Sequence, residues 1–109
     1  MAQFDVHRYS GALKDDIPFV VVVQSSLFDG YARRIIVPLA RRRALPPDTA
    51  TARTRVNPHF RVKGIDVVLD PLDIVSAPLD RLGPKVGTLA EEGQTITDAL
   101  DEVFTRSWG

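Results

Sequence analysis

Two apolar runs, Phe19 to Val23 and Ile35 to Leu39, flank a short polar stretch, and they constrain this chain more than any other feature. Their spacing predicts a β-hairpin over Phe19 to Ala40. Phe19, Val20, Val21, Val22 and Val23 leave no polar side for water, so this strand should be covered on both faces. Ser25, Ser26, Asp29 and Gly30 supply turn chemistry between the runs. Leu27 and Phe28 do not belong to that chemistry: they are large apolar residues where a turn is ordinarily polar. Periodicity alone favours packing back onto the core, and the alternative is display to a partner.

The chain has 109 residues, which predicts one domain over 1–109, near the size at which a second copy often completes the burial. No run approaches the ~18 apolar residues of a membrane span, and no basic region followed by an apolar segment opens the chain, so no membrane partner and a cytoplasmic location are expected. With no cysteine, disulfides and thiolate metal sites are excluded. The net charge is zero, yet residues 31–64 carry +8 and the residues from Asp66 onward carry −6. Mutual neutralisation across one fold is the plainer expectation. The alternative is a basic surface that receives a polyanion, a nucleic acid or an acidic peptide.

From Gln3 to Tyr9, Phe4 and Val6 alternate with Asp5 and His7, which predicts a strand with one buried face. An exposed loop, Ser10 to Asp16, leads to Pro18 and the long strand. After Ala40, Arg41, Arg42 and Arg43 precede Pro46 and Pro47 in a long irregular connection. Arg55 to Lys63 alternates again: Val56, Pro58, Phe60 and Val62 face inward, while Arg55, Asn57, His59, Arg61 and Lys63 form a basic stripe. Pro58 places that strand at an edge or a bulge. Gly64 turns the chain into Asp66 to Leu69, and Asp70 and Pro71 turn it again into a strand over Asp73 to Ala77, paired as a hairpin. Leu79 to Leu82 reads as one helical turn. Near the C-terminus Ile96, Ala99, Leu100, Val103 and Phe104 have helical spacing, with Thr95 and Asp98 in the positions of a capping box. The expected fold is α+β, mainly β: a strongly bent antiparallel sheet of five or six strands with a C-terminal helix.

No catalytic signature is present. His7 and His59 are far apart and lack ligand spacing with carboxylates. No glycine loop precedes a helix in a way that would cradle phosphate. Ser25, Ser26 and Ser76 have no identifiable base. No catalytic residue, metal or cofactor is therefore expected. Trp108, the sole tryptophan, follows three residues that do not continue the apolar helix face; a packed core ring is the general expectation for a tryptophan, and a terminal aromatic of this kind suits an interface equally well.

Several of these segments together resemble the bacterial CcdB toxin family. The resemblance is carried by Val23, Gln24 and Ser25 followed by Arg33 to Ala40, and by Gln3, Phe4, Asp5 and Val6. It continues in Asn57, Pro58, Phe60, Val62 and Gly64, in the turn Pro78 to Gly83, and in the acidic helix with Ile96, Ala99, Leu100 and Phe104. It implies a homodimer of small SH3-like barrels of about five antiparallel strands, each ending in a helix, a fold shared with the MazF and Kid ribonuclease toxins. It also implies a non-enzymatic toxin that binds the gyrase A protein of DNA gyrase and traps the gyrase–DNA cleavage complex; the alternatives are a MazF-like endoribonuclease on the same fold, with Arg33, Arg34 or Arg61 steering RNA, or an inactive relative that only binds antitoxin. A CcdA-like antitoxin with a disordered acidic tail would neutralise it, and nucleic acid would be met only through gyrase or the antitoxin complex. Carried over by position, the gyrase-facing residues are Gln3, Phe4, Ser25, Leu27, Phe28, Asp101, Trp108 and Gly109. The expected antitoxin contacts are Arg41, Arg42, Arg43 and Arg61. The tail departs from the family pattern: Thr105, Arg106 and Ser107 separate Phe104 from Trp108, no isoleucine follows Gly109, and Asp101 stands where the family has an asparagine.

Overall fold

The computed structural model describes residues 2–11, 15–46 and 55–106. Seven strands lie among them: β1 (Asp5–Tyr9), β2 (Phe19–Val22), β3 (Arg33–Ala40), β4 (His59–Val62), β5 (Ile65–Leu69), β6 (Val75–Pro78) and β7 (Leu82–Thr88). One helix, α1 (Gly93–Asp101), follows and continues into a π-helical turn, Glu102–Arg106. Every strand pairing is antiparallel, in the order β4-β5-β3-β2-β1-β7 with β6 attached to β3, and the sheet curls around α1 as a half-barrel. The α+β, mainly-β class expected from the sequence is the class found.

The central hairpin forms as its apolar runs require. Phe19, Val20, Val21 and Val22 pair with Leu39, Pro38, Val37 and Ile36, and all four β2 residues are buried. Opposed residues of an antiparallel pair share a face. Phe19, Val21, Val37 and Leu39 therefore point to the main core, where Val67, Leu69, Ile96 and Ala99 join them. Val20, Val22 and Ile36 point the other way, under Tyr9, Ala77 and Leu82. Each fully buried aliphatic side chain contributes about 1.5–3 kcal/mol through removal from water.

Several expectations are corrected. The first strand begins at Asp5, and Asp5, Val6 and His7 are all buried, so both faces are covered at its start; β7, unforeseen in the sequence, pairs along its other edge, and His7 Nδ1 lies 2.9 Å from Gly83 O. Gly83, Pro84 and Gly87 hide β7 from propensity reasoning, and the two register shifts against β1 accommodate them as bulges. The fourth strand is only His59–Val62 rather than Arg55 to Lys63, although it is an edge strand, as Pro58 suggested. Lys63 (φ 52°) and Gly64 (φ 77°) form the two-residue turn into β5, with the double positive φ of a type I′ hairpin. β5 and β6 are not a hairpin. Both pair with β3, β5 at Leu39 and Ala40 and β6 from Arg33 to Ile36, joined by the 3-10 turn Pro71–Asp73.

The helix starts at Gly93, earlier than Thr95, so the expected capping box is absent. Thr88 Oγ1 instead accepts from Ala90 N at the mouth of the 3-10 turn Ala90–Glu92, which runs straight into α1. Asp98 accepts from Gln94 one turn away. Ile96 and Ala99 are buried as the spacing predicts, but Phe104 is 62% exposed. The π-helical turn widens the backbone after Asp101 and swings Phe104 off the core face.

Candidate functional site

The connection from β2 to β3 is the most sharply built surface feature. Ser25 Oγ accepts from Leu27 N and opens the 3-10 turn Ser26–Phe28, which Phe28 N→Ser25 O and Asp29 N→Ser26 O close. A short turn of this kind is weak by itself. Arg34 fixes it. Its side chain is fully buried beside β6 and donates from Nη1 to Phe28 O and to Gln24 Oε1 (3.2 Å), and from Nη2 to Asp29 Oδ1 (2.8 Å). A buried guanidinium survives only if its donors are matched, and here the loop backbone supplies part of the match. Arg34 thus ties three separate points of the loop to β3.

Held this way, the loop projects its apolar residues outward. Leu27 is 82% exposed and Tyr31 61%, while Phe28 sits at the margin, edge-to-face with Tyr31 at 5.4 Å. The expectation that Leu27 and Phe28 fold back onto the core is overturned. Arg34 pins the turn to β3 through Phe28 O and Asp29 Oδ1, and Leu27 and Phe28 are left at the surface. Tyr31 joins the patch without having been singled out in the sequence, although its spacing of three residues from Phe28 was a legible signal.

Gln3 and Phe4 flank the start of the same region. Gln3 Nε2 donates to Val23 O, adjoining the first residues of the loop. Phe4 has φ 68°, a left-handed conformation uncommon outside glycine, and two backbone bonds clamp it: Phe4 N→Val22 O and Leu89 N→Phe4 O. Its ring packs against Gly93, where an added Cβ would lie 2.6 Å from Phe4 Cε2. Phe4 is therefore half-buried, a brace between β2 and α1 more than a displayed ring. Asp101, half-buried, closes α1 eight residues beyond Gly93, about 12 Å along the axis. Trp108 and Gly109 lie outside the described residues.

The arginines after β3 divide into two groups. Arg41 Nε and Arg43 Nη2 donate to Asp15 O, and Arg43 Nε reaches Asp16 Oδ1 at 3.3 Å, so both brace the segment before β2. Arg42 and Arg61 instead converge with His59, Phe60 and Asp66 on a cavity of about 200 Å³. There Arg42 Nη2 lies 3.3 Å from His59 Nδ1, and Arg61 pairs with Asp66 at 3.1 Å. The charge asymmetry is partly cancelled within the fold: Arg34, Arg43, Arg55 and Arg61 each meet an acid. Nearby in sequence, burial pushes Asp70 up to about 6, with a hydrogen bond to the Asp73 carboxyl and that group's charge acting in the same direction. Among the described residues no group of three His, Asp or Glu side chains is arranged to hold a metal ion.

A sequence model of the CcdB protein family matches residues 3–106 of the chain. No curated protein sequence matches it. Among solved structures, an endoribonuclease in complex with its cognate antitoxin from a mycobacterial species superposes with a TM-score of 0.73 at 15% identity, covering 100% of this chain and 99% of that one. The Mycobacterium tuberculosis toxin MazF-mt6 gives 0.70 at 14% identity over 95% and 99% of the two chains. A further structure, of an endoribonuclease from a mycobacterial species, gives 0.69 at 16% identity over 100% and 95%. At these identities the likeness is one of fold.

Proposed function

Because the chain belongs to the CcdB family, we propose that it is the toxin of a toxin–antitoxin pair that acts by binding. In this reading the 109 residues form one domain and pair as a homodimer. The dimer engages the gyrase A protein, traps gyrase on cleaved DNA, and is neutralised by a CcdA-like antitoxin. The observation that supports it best is the displayed loop: Leu27, Phe28 and Tyr31 stand out on a turn that a buried arginine holds rigid. Large apolar and aromatic side chains carry most of the energy of protein interfaces, and a preorganised loop loses little entropy on docking. In a two-fold dimer the loop occurs twice, which suits a two-fold target such as a gyrase A dimer. Gln3, Ser25 and Asp101 complete the proposed contact surface with Trp108 and Gly109, while Arg42 and Arg61 offer the antitoxin's acidic tail a cationic hollow beside Arg41 and Arg43.

The test is a cleavage reaction with purified protein, supercoiled plasmid, ATP and gyrase. The reading expects linear DNA after denaturation and protease digestion, and expects Trp108→Ala to abolish it without altering the fold. A well-folded protein that yields no linear DNA would refute gyrase poisoning. A second reading, an endoribonuclease, is favoured by one observation: Arg42, His59, Arg61 and Asp66 share one cavity. On a fold of the kind that mycobacterial endoribonucleases have, such groups could position a phosphate and move a proton. Cleavage of RNA by the purified protein, lost in His59→Ala, would establish that reading instead.

A further inference from the structure

We propose that Asp29 and Gly30 form a self-modification site, at which the Gly30 amide nitrogen closes on the Asp29 carboxyl and the resulting succinimide hydrolyses to isoaspartate, and that Arg34 holds the reaction off while the loop is closed. The pair is the chain's only Asp–Gly, and the chain has no Asn–Gly. Ring closure at an aspartate needs a following nitrogen open to attack, which a side chain on the next residue shields and glycine leaves bare. Around Gly30 an added Cβ would meet nothing within 4 Å. Its N–H donates to no acceptor among the described residues. The Asp29 side chain is 39% exposed, so water reaches the reacting atoms.

Two features oppose the reaction in the closed loop. A planar five-membered ring needs Cβ and the next nitrogen eclipsed about the Cα–C bond. Asp29 is right-handed helical, with φ −59° and ψ −25°, so ψ must swing far from its native value before the ring can close. Arg34 prevents that swing from both sides of Cα: Nη1 donates to Phe28 O, the carbonyl before Asp29, and Nη2 donates to Asp29 Oδ1 at 2.8 Å. The reacting geometry is therefore reached only when the loop opens locally.

The chemistry needs only water. The Gly30 nitrogen bonds to Asp29 Cγ, and its proton leaves with the carboxyl hydroxyl as one water molecule. Addition of water at Cγ restores aspartate. Addition at the main-chain carbonyl carbon breaks its bond to the Gly30 nitrogen, and the chain then runs through Cβ and Cγ with the free carboxylate on Cα. The backbone gains a methylene and the carboxylate moves, so Arg34 can no longer hold it together with Phe28 O. Leu27, Phe28 and Tyr31 then lose their clamp, and a loop that has once opened is retired covalently. That consequence rests on the binding role proposed for the loop. The modification does not, because it is read without gyrase, and a loop that ages but leaves gyrase untouched would sink the gyrase reading alone.

The test incubates the full chain at 37 °C and pH 7.4 beside Arg34→Met, Arg34→Met/Gly30→Ala and Ile96→Ala. Isoaspartate is counted with protein-isoaspartate methyltransferase and tritiated S-adenosylmethionine, and placed by digestion with Asp-N protease, which does not cut before it. Label at residue 29 should accumulate about tenfold faster in Arg34→Met than in the parent, because local opening is populated in proportion to its lowered cost. Adding Gly30→Ala, which the open space there accommodates, should remove most of that label. Ile96→Ala weakens the core and leaves the clamp intact, so it should label no faster than the parent. Parent aged in urea and refolded should have a urea midpoint close to that of Arg34→Met. Equal rates in parent and Arg34→Met, label that Gly30→Ala leaves unchanged, or Ile96→Ala labelling as fast as Arg34→Met would overturn the proposal. An unchanged midpoint in the aged, labelled parent would overturn the loss of the clamp.

Discussion

Replacing Arg34 with methionine should loosen the displayed loop and lower stability by about 2–3 kcal/mol, an amount set by how each lost partner can recover. Arg34 donates three hydrogen bonds, and breaking a buried ion pair by removing one partner costs about 3–5 kcal/mol. Two features reduce that figure. Asp29 is 39% exposed in its side chain and can be hydrated once released, and Gln24 Oε1 keeps its bond from Ile35 N. Nε of Arg34, moreover, has no acceptor in the native fold, so its desolvation is recovered in the variant. Methionine fills most of the vacated length and avoids the cavity that alanine would leave. For a domain of this size the loss corresponds to a fall in Tm of about 10 °C or more. Asp29→Ala should cost at least as much, because it leaves the guanidinium buried with neutral acceptors alone. The double variant should then be less destabilised than the two single effects added together. Urea denaturation of the four proteins gives the cycle. Single variants within about 0.5 kcal/mol of the parent, or strictly additive effects, would refute the role assigned to Arg34.

Three further outcomes follow from particular contacts. Gly93→Ala should destabilise by about 1–2 kcal/mol, measured by urea unfolding, because the clash with the Phe4 ring exceeds the ~1 kcal/mol that alanine gains in helix propensity. Ile96→Ala, which empties a fully buried site between α1 and the sheet, should cost about 2–5 kcal/mol in the same measurement. Asp70 has a folded pKa of about 6 against an ordinary 3.8, so the fold favours its protonated form; that contribution is complete below pH 3.8 and is lost as pH rises through 6. Asp70→Asn should therefore flatten stability between pH 4 and 6.5 and stabilise the protein at pH 7.5 by about 1 kcal/mol, a value reduced for the group's partial exposure.

Local pattern carried the central hairpin, the edge position near Pro58 and the apolar face of α1, because burial on a strand or helix leaves a periodic trace. What it could not carry was partner choice. β6 follows β5 through a turn that looks like a hairpin, yet its register is set by β3, some forty residues earlier. β7 was invisible because two glycines and a proline weaken every local strand signal, and only its pairing with β1 makes it a strand. The exposure of Leu27 and Phe28 depends on a side chain outside the loop, since nothing in the spacing of Arg34 announces that it is buried. For the proposed contact surface, sequence similarity pointed to the Leu27–Phe28 loop, and the geometry adds Tyr31 to it and makes Phe4 a brace.

Leu27→Asp probes the loop proposed to bind gyrase at little cost to the fold, because the Leu27 side chain is almost wholly in solvent. In the gyrase cleavage reaction the parent protein should generate linear plasmid, and Leu27→Asp, with an unchanged urea midpoint, should reduce it at least tenfold at equal concentration. Undiminished linear DNA from Leu27→Asp would contradict the role of the loop.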